Sequence, residues 1–457
     1  MEAIPVIIVF DVGKTNKKVF VFDEHYKIVF ERTARFKEMT DEDGDPCENL
    51  ESLKASIYDT LHELFRHKEF AVKAVNFSAY GASLVYIDEH GNPLTPLYNY
   101  LKSYPEELQQ DFYQQYGTRE EIALATASPA SGSLNSGMQL YRIKKEKPAL
   151  YQQIRYAVHL PQYLSYLVSG IVCSELTSIG CHTQLWDFRQ NKYHNWVQEE
   201  GLEKKLPPIT TAGQIFSTVF EGKSFQAGSG LHDSSAALIP YLFSFHEPFV
   251  LISTGTWCIS LNPFNHTPLT TAELEKNCLC YLQYQGKPVK SSRLFAGYEH
   301  DQQLRRIAGY FKQGINRYRT MPYDAAIADS LIKEEYKYLD GEELHFIKRN
   351  LSHFSSDTIA YHQLILDIAV QQHTSTKLVM ADQQVKRIFV DGGFSKNEIY
   401  MNLMARMFPD TAVFAASVAQ ATAIGAALAI HKSWNAKPMP NDLIELKYYA
   451  IPNSLTL

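Results

Sequence analysis

The sequence predicts a mixed α/β protein made of two similar halves that meet across a cleft. Three observations carry that expectation. The chain has 457 residues, about three times the ~150 residues usual for one domain. Its first third mixes β-branched runs with an amphipathic segment, and at Phe249 it starts again with the strand, Gly/Thr turn and strand that open it.

Ile4 to Phe10 is rich in β-branched residues, Asp11 to Lys17 is a polar turn, and Lys18 to Phe22 is strand-like again. Asp23-Glu24-His25 turns the chain into a third strand, Lys27 to Arg32. Leu50, Leu53, Ile57, Leu61 and Leu64 recur near helical spacing within Glu48 to Phe65, and Val72 to Phe77 returns to strand. Ser136 to Val168 reads as helical, broken at Pro148 and Pro161. Asp233 to Leu242 reads as a helix with Asp233 at its N-cap. In the second half, Phe249 to Ile252, the turn Ser253-Thr254-Gly255-Thr256 and Trp257 to Leu261 echo the opening hairpin. Ile359 to Met380 is an amphipathic helix, Val385 to Val390 a strand running into Asp391-Gly392-Gly393, and a further helix is expected from Asn397. Ala421 to Ile430 holds Thr422, Gly425 and other small residues at helical spacing, which suits a closely packed helix.

Lys and Arg total 44 against 50 Asp and Glu, a net charge of −6, with no basic block along the chain. That disfavours a nucleic-acid partner. Hydrophobic residues at 45% and charged residues at 21% are ordinary globular usage. The start, Met1 to Pro5, carries an acid where a secretion signal needs positive charge, and no apolar run approaches the roughly 20 residues that cross a bilayer. A cytoplasmic location without a membrane partner is therefore expected. The six cysteines include no Cys-x-x-Cys pair and read as reduced thiols; Cys278 and Cys280 alternate as on a strand, a poor zinc geometry.

Gly13-Lys14-Thr15 is not a P-loop, because Ile8 stands where that motif needs glycine and no helix follows. What remains is a hairpin whose amides, Thr15 hydroxyl and Lys14, Lys17 or Lys18 could neutralise phosphate. A plain surface hairpin fits the same residues. Asp11, at the end of the first strand, suits a magnesium ion held through its waters, or the capping of a turn. Ser253 to Thr256 offers a second set of amides and hydroxyls to face the first. Asp391-Gly392-Gly393-Phe394-Ser395-Lys396-Asn397 would let an adenine or ribose lie against backbone, or is simply a tight strand-to-helix turn. His232-Asp233 follows the loop Gly228-Ser229-Gly230 just before the second half, where an acid could take a proton from a bound hydroxyl or cap a helix.

Taken in order, these segments resemble the FGGY family of carbohydrate kinases, within the sugar kinase, Hsp70 and actin superfamily. Asp11-x-Gly13-x-Thr15-x-x-Lys18 is similar to the family's first phosphate motif, with Lys14 where threonine is usual. Ser253-Thr254-Gly255-Thr256 is similar to the second phosphate motif, Asp391-Gly392-Gly393 with Ser395 and Asn397 to the adenosine motif, and Gln420 to Ala427 to the segment after it. Within the family, His232-Asp233-Ser234-Ser235-Ala236, Gly255-Thr256-Trp257 and the stretch Pro161 to Asp187 look like rhamnulokinases. The resemblance implies two actin-like (ribonuclease H-like) domains, 1–245 for the sugar and the first phosphate motif and 246–457 for ATP. It implies phosphorylation of a small ketose by Mg-ATP, with Asp233 as catalytic base and Asp11 for Mg2+. Gly13, Thr15, Lys18, Ser253, Thr254, Gly255, Thr256, Gly392, Gly393 and Asn397 would then bind ATP, and Tyr80, Gly81, His232 and Ser234 the sugar.

Two segments depart from the family. Where many members show an aromatic and then Asp-x-Arg, this chain reads Tyr98-Asn99-Tyr100-Leu101-Lys102, and Arg293 to Glu299 differs from the polar substrate-contacting stretch of rhamnulokinases. L-rhamnulose, L-fuculose, L-ribulose and xylulose all stay open as substrates. A small sugar and ATP are the expected partners, with a homodimer left open. The alternatives are a non-catalytic, nucleotide-gated sugar-binding or regulatory member of the superfamily and a chaperone-like ATPase, which would want a peptide-binding domain.

Overall fold

In each half the opening strand sits in the middle of a seven-stranded mixed sheet. The computed structural model describes residues 3–335, 345–380 and 384–450; Met1 and Glu2, read above for a secretion signal, lie outside them. In the first sheet the strand Ile4–Val12 pairs antiparallel with Lys17–Asp23, which pairs antiparallel with Ile28–Ala34. On its other side it runs parallel to Phe70–Ala79, which runs parallel to Lys223–Gly228. The second sheet repeats the plan: Phe249–Thr254 pairs antiparallel with Cys258–Asn262, then Pro288–Leu294, and on its other side runs parallel to Arg387–Gly392 and Ala412–Ser417. The echo at Phe249 is thus a repeat of topology.

The burial of the central strands decides what each residue faces. Val6, Ile7, Ile8 and Val9 are all fully buried, as a strand covered on both faces requires. Val6, Ile8, Phe10 and Val12 pack with the helix Leu50–Arg66, while Ile7 and Val9 pack toward the second half. In the second sheet Val250 and Ile252 pack on the long helix Asp357–Met380, while Phe249 and Leu251 face the first half. Strand side chains alternate with period two, so Asp11 follows Ile7 and Val9 toward the interface, and Ser253 follows Leu251.

Each half also sends one helix between the sheets, Asp233–Ser244 from the first and Ala421–Ala429 from the second. A Cβ at Gly425 would lie 1.9 Å from the Ala236 carbonyl oxygen, so the two helices touch backbone to backbone. Packing is therefore the role of these small residues.

Three local expectations differ from the structure. The stretch after Pro148 contains a short strand, Tyr156–His159, paired antiparallel with Leu84–Ile87, and the prolines lie in the first turns of helices instead of ending them. Four residues are too few for periodicity to register. Asp233 is the first residue of its helix, not the N-cap; His232 holds that position, and no side chain caps the helix. Ser253 and Thr254 belong to the strand, and the turn is shorter than expected. All six cysteines are free and buried, with Cys278 and Cys280 on the strand Cys278–Leu282. No helix among the described residues is long and apolar enough to cross a membrane.

Candidate active site

The interface opens into a cleft with about 1100 Å³ of empty space. Asp11, Lys18, Asp233 and Ser234 line it from the first half, and Ser253, Asp391, Gly392, Gln420 and Thr422 from the second. Alternation puts them there. Lys18 lies opposite Asp11 in register and shares the face of Phe20 and Phe22, whereas Lys17 shares the buried face of Val19. Lys17 Nζ is 2.9 Å from Glu48 Oε1, and Lys14 Nζ is 3.1 Å from Glu38 and 3.4 Å from Glu48. Of the three lysines offered for phosphate, only Lys18 is in the cleft; the other two are held by glutamates. Gly13 and Thr15 sit at the hairpin turn, outside the lining.

Three carboxylates line this space, and two of them, Asp11 and Asp233, come from the first half. Burial pushes Asp11 up to about 6, with the charge of Asp233 adding to the effect and Thr422 and Lys18 opposing it. Thr422 Oγ1 donates to Asp11 Oδ2 at 2.8 Å, and Lys18 Nζ lies 3.4 Å from Gln420 Oε1, so the halves are tied across the cleft. Burial likewise pushes Asp233 up to about 6, although the Ser234 amide (2.6 Å) and hydroxyl (3.2 Å) both donate to its Oδ1. Among the described residues no group of three or more His, Cys, Asp and Glu could hold a metal. The Asp11 carboxylate, lining the cleft opposite Lys18, is the kind of oxygen ligand that suits a small hard cation which keeps its waters and takes further ligands from phosphate, the usual habit of magnesium.

Beside Asp233 lies a buried polar pocket wall. Gly81 packs on His232 and Cys181, a Cβ there falling 2.7 Å from Cys181 Sγ. His232 Nε2 is 3.1 Å from that sulfur and 3.2 Å from Asp233 Oδ1; its own amide donates to Thr177 Oγ1, which donates to Glu175 Oε2. Burial lowers His159, His182 and His232 to about 3, so all three imidazoles are neutral. Tyr281 from the second half has its ring 5.7 Å from His232 and 6.2 Å from His182. In the altered segment, Tyr98 donates to Glu42 and Lys102 is held by Asp41 and Asp43. Tyr100 instead turns inward, its ring 5.9 Å from that of Tyr80 and its hydroxyl within electrostatic reach of Asp233.

On the second half, Gly392 adopts φ +93°, and a Cβ there would lie 2.0 Å from the Thr254 carbonyl, so only glycine fits. Gly392 and Gly393 are both exposed. The Thr254 hydroxyl donates to the Asp391 carbonyl and accepts from the Phe394 amide, and Asn397 caps the helix Glu398–Met407 while donating to Tyr361. These two side chains are committed within the fold, and so is their backbone: the Thr254 carbonyl accepts from the Gly393 amide, the Asn397 amide donates to the Phe394 carbonyl and the Asn397 carbonyl accepts from the Met401 amide. Gly255 and Thr256 abut Gly297 and Tyr298 at the lip of the cleft.

Sequence reasoning did not single out His159, His182, Cys181, Tyr281 or the tie from Thr422 to Asp11. The alternation of Ile7, Val9 and Asp11, and of Phe22, Phe20 and Lys18, was the available signal for the cleft-facing set. A second hollow, with about 390 Å³ of empty space, lies between Tyr86, Tyr98, Lys102 and Gln139, apart from Asp11 and Asp233.

The chain matches the family model "FGGY family of carbohydrate kinases, N-terminal domain" over residues 6–239 and "Carbohydrate kinase FGGY, C-terminal domain" over 246–336 and 345–438. It is 22% identical over 261 residues to a rhamnulokinase of Halalkalibacterium halodurans, covering 54% of each protein, so the match spans about half that relative's length. With a rhamnulokinase of Oceanobacillus iheyensis it shares 23% identity over 389 residues, 77% of each. The fold is similar to the crystal structure of a carbohydrate kinase from Novosphingobium aromaticivorans, with a TM-score of 0.80 at 24% identity over 98% of this chain and 95% of that one.

Proposed function

The chain belongs to the FGGY family of carbohydrate kinases, and from that premise we propose that it transfers the γ-phosphoryl group of ATP to a hydroxyl of a small sugar, with Asp233 as general base. One observation carries the reading: a poised carboxylate, Asp233, lines one cleft with a phosphate-suited set drawn from both halves, Asp11 and Lys18 from the first and Ser253 and Gly392 from the second.

In the proposed reaction the sugar oxygen attacks the γ-phosphorus, the bond to the β-phosphate oxygen breaks and ADP leaves with that electron pair. The hydroxyl proton passes to Asp233. Ser235 Oγ donates to the Leu282 carbonyl at 2.9 Å, which assigns the proton of His232 to Nδ1, 3.3 Å from Ser235 Oγ. His232 Nε2 is then an acceptor facing Asp233 Oδ1, so a proton taken up by Asp233 finds a hydrogen-bond partner at once. Ser234 fixes the rotamer of Asp233. Lys18 and the Ser253 hydroxyl, both on the cleft lining, would offset the charge spread over the transferred group. Magnesium, held by Asp11 through its waters, would neutralise phosphate charge there. Gly392, Gly393 and the backbone of Thr254 and Asn397 would flank the nucleoside; Tyr80, Gly81 and His232 would contact the sugar. Closure of the halves, divided near residue 245, would exclude water and so favour transfer over hydrolysis. A cytoplasmic location and an acceptor among L-rhamnulose, L-fuculose, L-ribulose and xylulose go with this reading.

The test is ADP release with Mg-ATP across a panel of ketoses, alditols and 6-deoxy sugars, for wild type and Asp233→Ala. One sugar should raise ADP release far above the sugar-free rate, and the variant should lose about 10²- to 10⁴-fold of that response while still binding ATP. ATP binding without transfer to any sugar would instead fit a nucleotide-gated binding protein.

A further inference from the structure

Among the described residues Arg293 has no carboxylate partner, and it stands on the cleft-facing side of its sheet beside Ile259. It lies on the strand Pro288–Leu294, where the neighbouring Ser292 faces the long helix and donates to the Ser375 carbonyl at 2.7 Å. By alternation Arg293 faces the first half, and its register partner is Ile259, which lines the cleft. Its guanidinium carbon is 5.8 Å from the centre of the Trp257 ring. Its Nε is buried with no hydrogen bond among the described residues.

The surroundings say which side of the cleft it serves. Its positive charge is felt at Cys181, His182 and Tyr281, in the pocket wall next to Asp233, and at Cys278 on the adjacent strand, whereas Asp11 on the phosphate side feels Lys18 instead. Asp233 acts on Cys181 and Tyr281 as well, so the two charges flank the same residues without an ion pair between them. Taking a guanidinium partly out of water with no anion is costly. The neutral imidazoles nearby offer hydrogen bonds to hydroxyls but no compensating charge.

We infer that Arg293 docks an oxyanion of the acceptor, and that the preferred acceptor is a sugar acid, a polyol carrying a carboxylate at one end while a hydroxyl further along the chain reaches Asp233. The inference rests on the kinase reading and names its acceptor class. A planar carboxylate matches the fork of an arginine, and the hydroxyls between the two ends would meet His159, His182 and His232.

The experiment is calorimetric binding to the full chain of matched pairs, a five- or six-carbon aldonate and the alditol of the same configuration, with and without a non-hydrolysable ATP analogue. Wild type, Arg293→Gln and Arg293→Lys are compared, each checked by its melting curve. Wild type should bind at least one aldonate about 30-fold or more tighter than its neutral partner. Arg293→Gln should bring that ratio close to one, and Arg293→Lys should keep part of it. Equal binding of acid and neutral sugar, no binding of any acid, or an acid preference that survives Arg293→Gln each overturns the inference. So does a loss confined to affinity for the ATP analogue, which would assign Arg293 to the nucleotide. The readout needs no turnover: an acid held by Arg293 but never phosphorylated would sink the kinase reading alone, and a ketose phosphorylated without acid preference would sink this one alone.

Discussion

The two halves each place an acid at the mouth of the cleft, but in inverted positions. In the first sheet the opening strand carries Asp11, with Ser78 opposite; in the second it carries Ser253, and the acid, Asp391, stands opposite. Each acid accepts a hydrogen bond from the helix of the other half, Asp11 from Thr422 at 2.8 Å and Asp391 from Tyr241 at 3.0 Å. The backbone plan is shared, yet the chemistry around the two acids is not. Asp11 faces Lys18 and a second carboxylate, Asp233, across open space. Asp391 also accepts from the Gly392 amide at 2.7 Å, shaping the turn before Phe394. A repeated topology therefore sets one acid opposite a lysine and a second carboxylate, and bonds the other into the turn that follows it.

The sharpest way to break that comparison is to neutralise each acid in turn. Asp11→Asn should lower kcat for the identified acceptor by about 10³-fold, the scale of losing a preorganised charge at the reacting group. Asp391→Asn should lose less than about tenfold, since an amide oxygen can still accept from Gly392. Steady-state kinetics on both variants decides it, and equal losses would show the two sites to be functionally alike.

A smaller effect tests the contact that holds the halves in register. Gly425→Val forces a side chain into the Ala236 backbone and should destabilise the protein by about 3 kcal/mol, at the upper end for overpacking. Gly393→Ala, with no neighbouring atom within 4 Å of the added methyl, should change the melting temperature by less than about 1 °C. Chemical denaturation of both variants compares a glycine needed for packing with one left open toward a ligand.

The smallest effect concerns pH. Burial raises Asp233 in the folded protein to about 6 from 3.8, so its ionised form opposes folding above pH 6, and this cost fades as pH falls toward 3.8. Asp233→Asn should therefore melt about 1 to 3 °C above wild type at pH 7.5, the gap closing below pH 4, while activity is lost. A variant that melts lower at pH 7.5 would mean that the carboxylate stabilises the fold.

Much of the scaffold was legible in the chain. The β-branched run Ile4 to Phe10, the polar turn after it and the repeat at Phe249 mark two hairpins because strand propensity and turn chemistry are local. Asp233 was placed at a helix start for the same reason, although as its first residue and not its cap. The strand Tyr156–His159 was hidden because only its partner, Leu84–Ile87, distinguishes it from the helices around it. Lys14, Lys17 and Lys18 looked alike as phosphate ligands until face and partner were known.

The sequence by itself determined the two opening hairpins, the Gly-rich segments and the order of the motifs, because each depends on residues a few positions apart. Tertiary structure decided which charges are free. Glu48 reaches 31 residues back to hold Lys17, Thr422 reaches 411 residues back to Asp11, and Arg293 meets no acid among the described residues. The physical reason is range: a charge is tuned by burial and by groups within about 4–6 Å, and in this fold those groups come from distant parts of the chain.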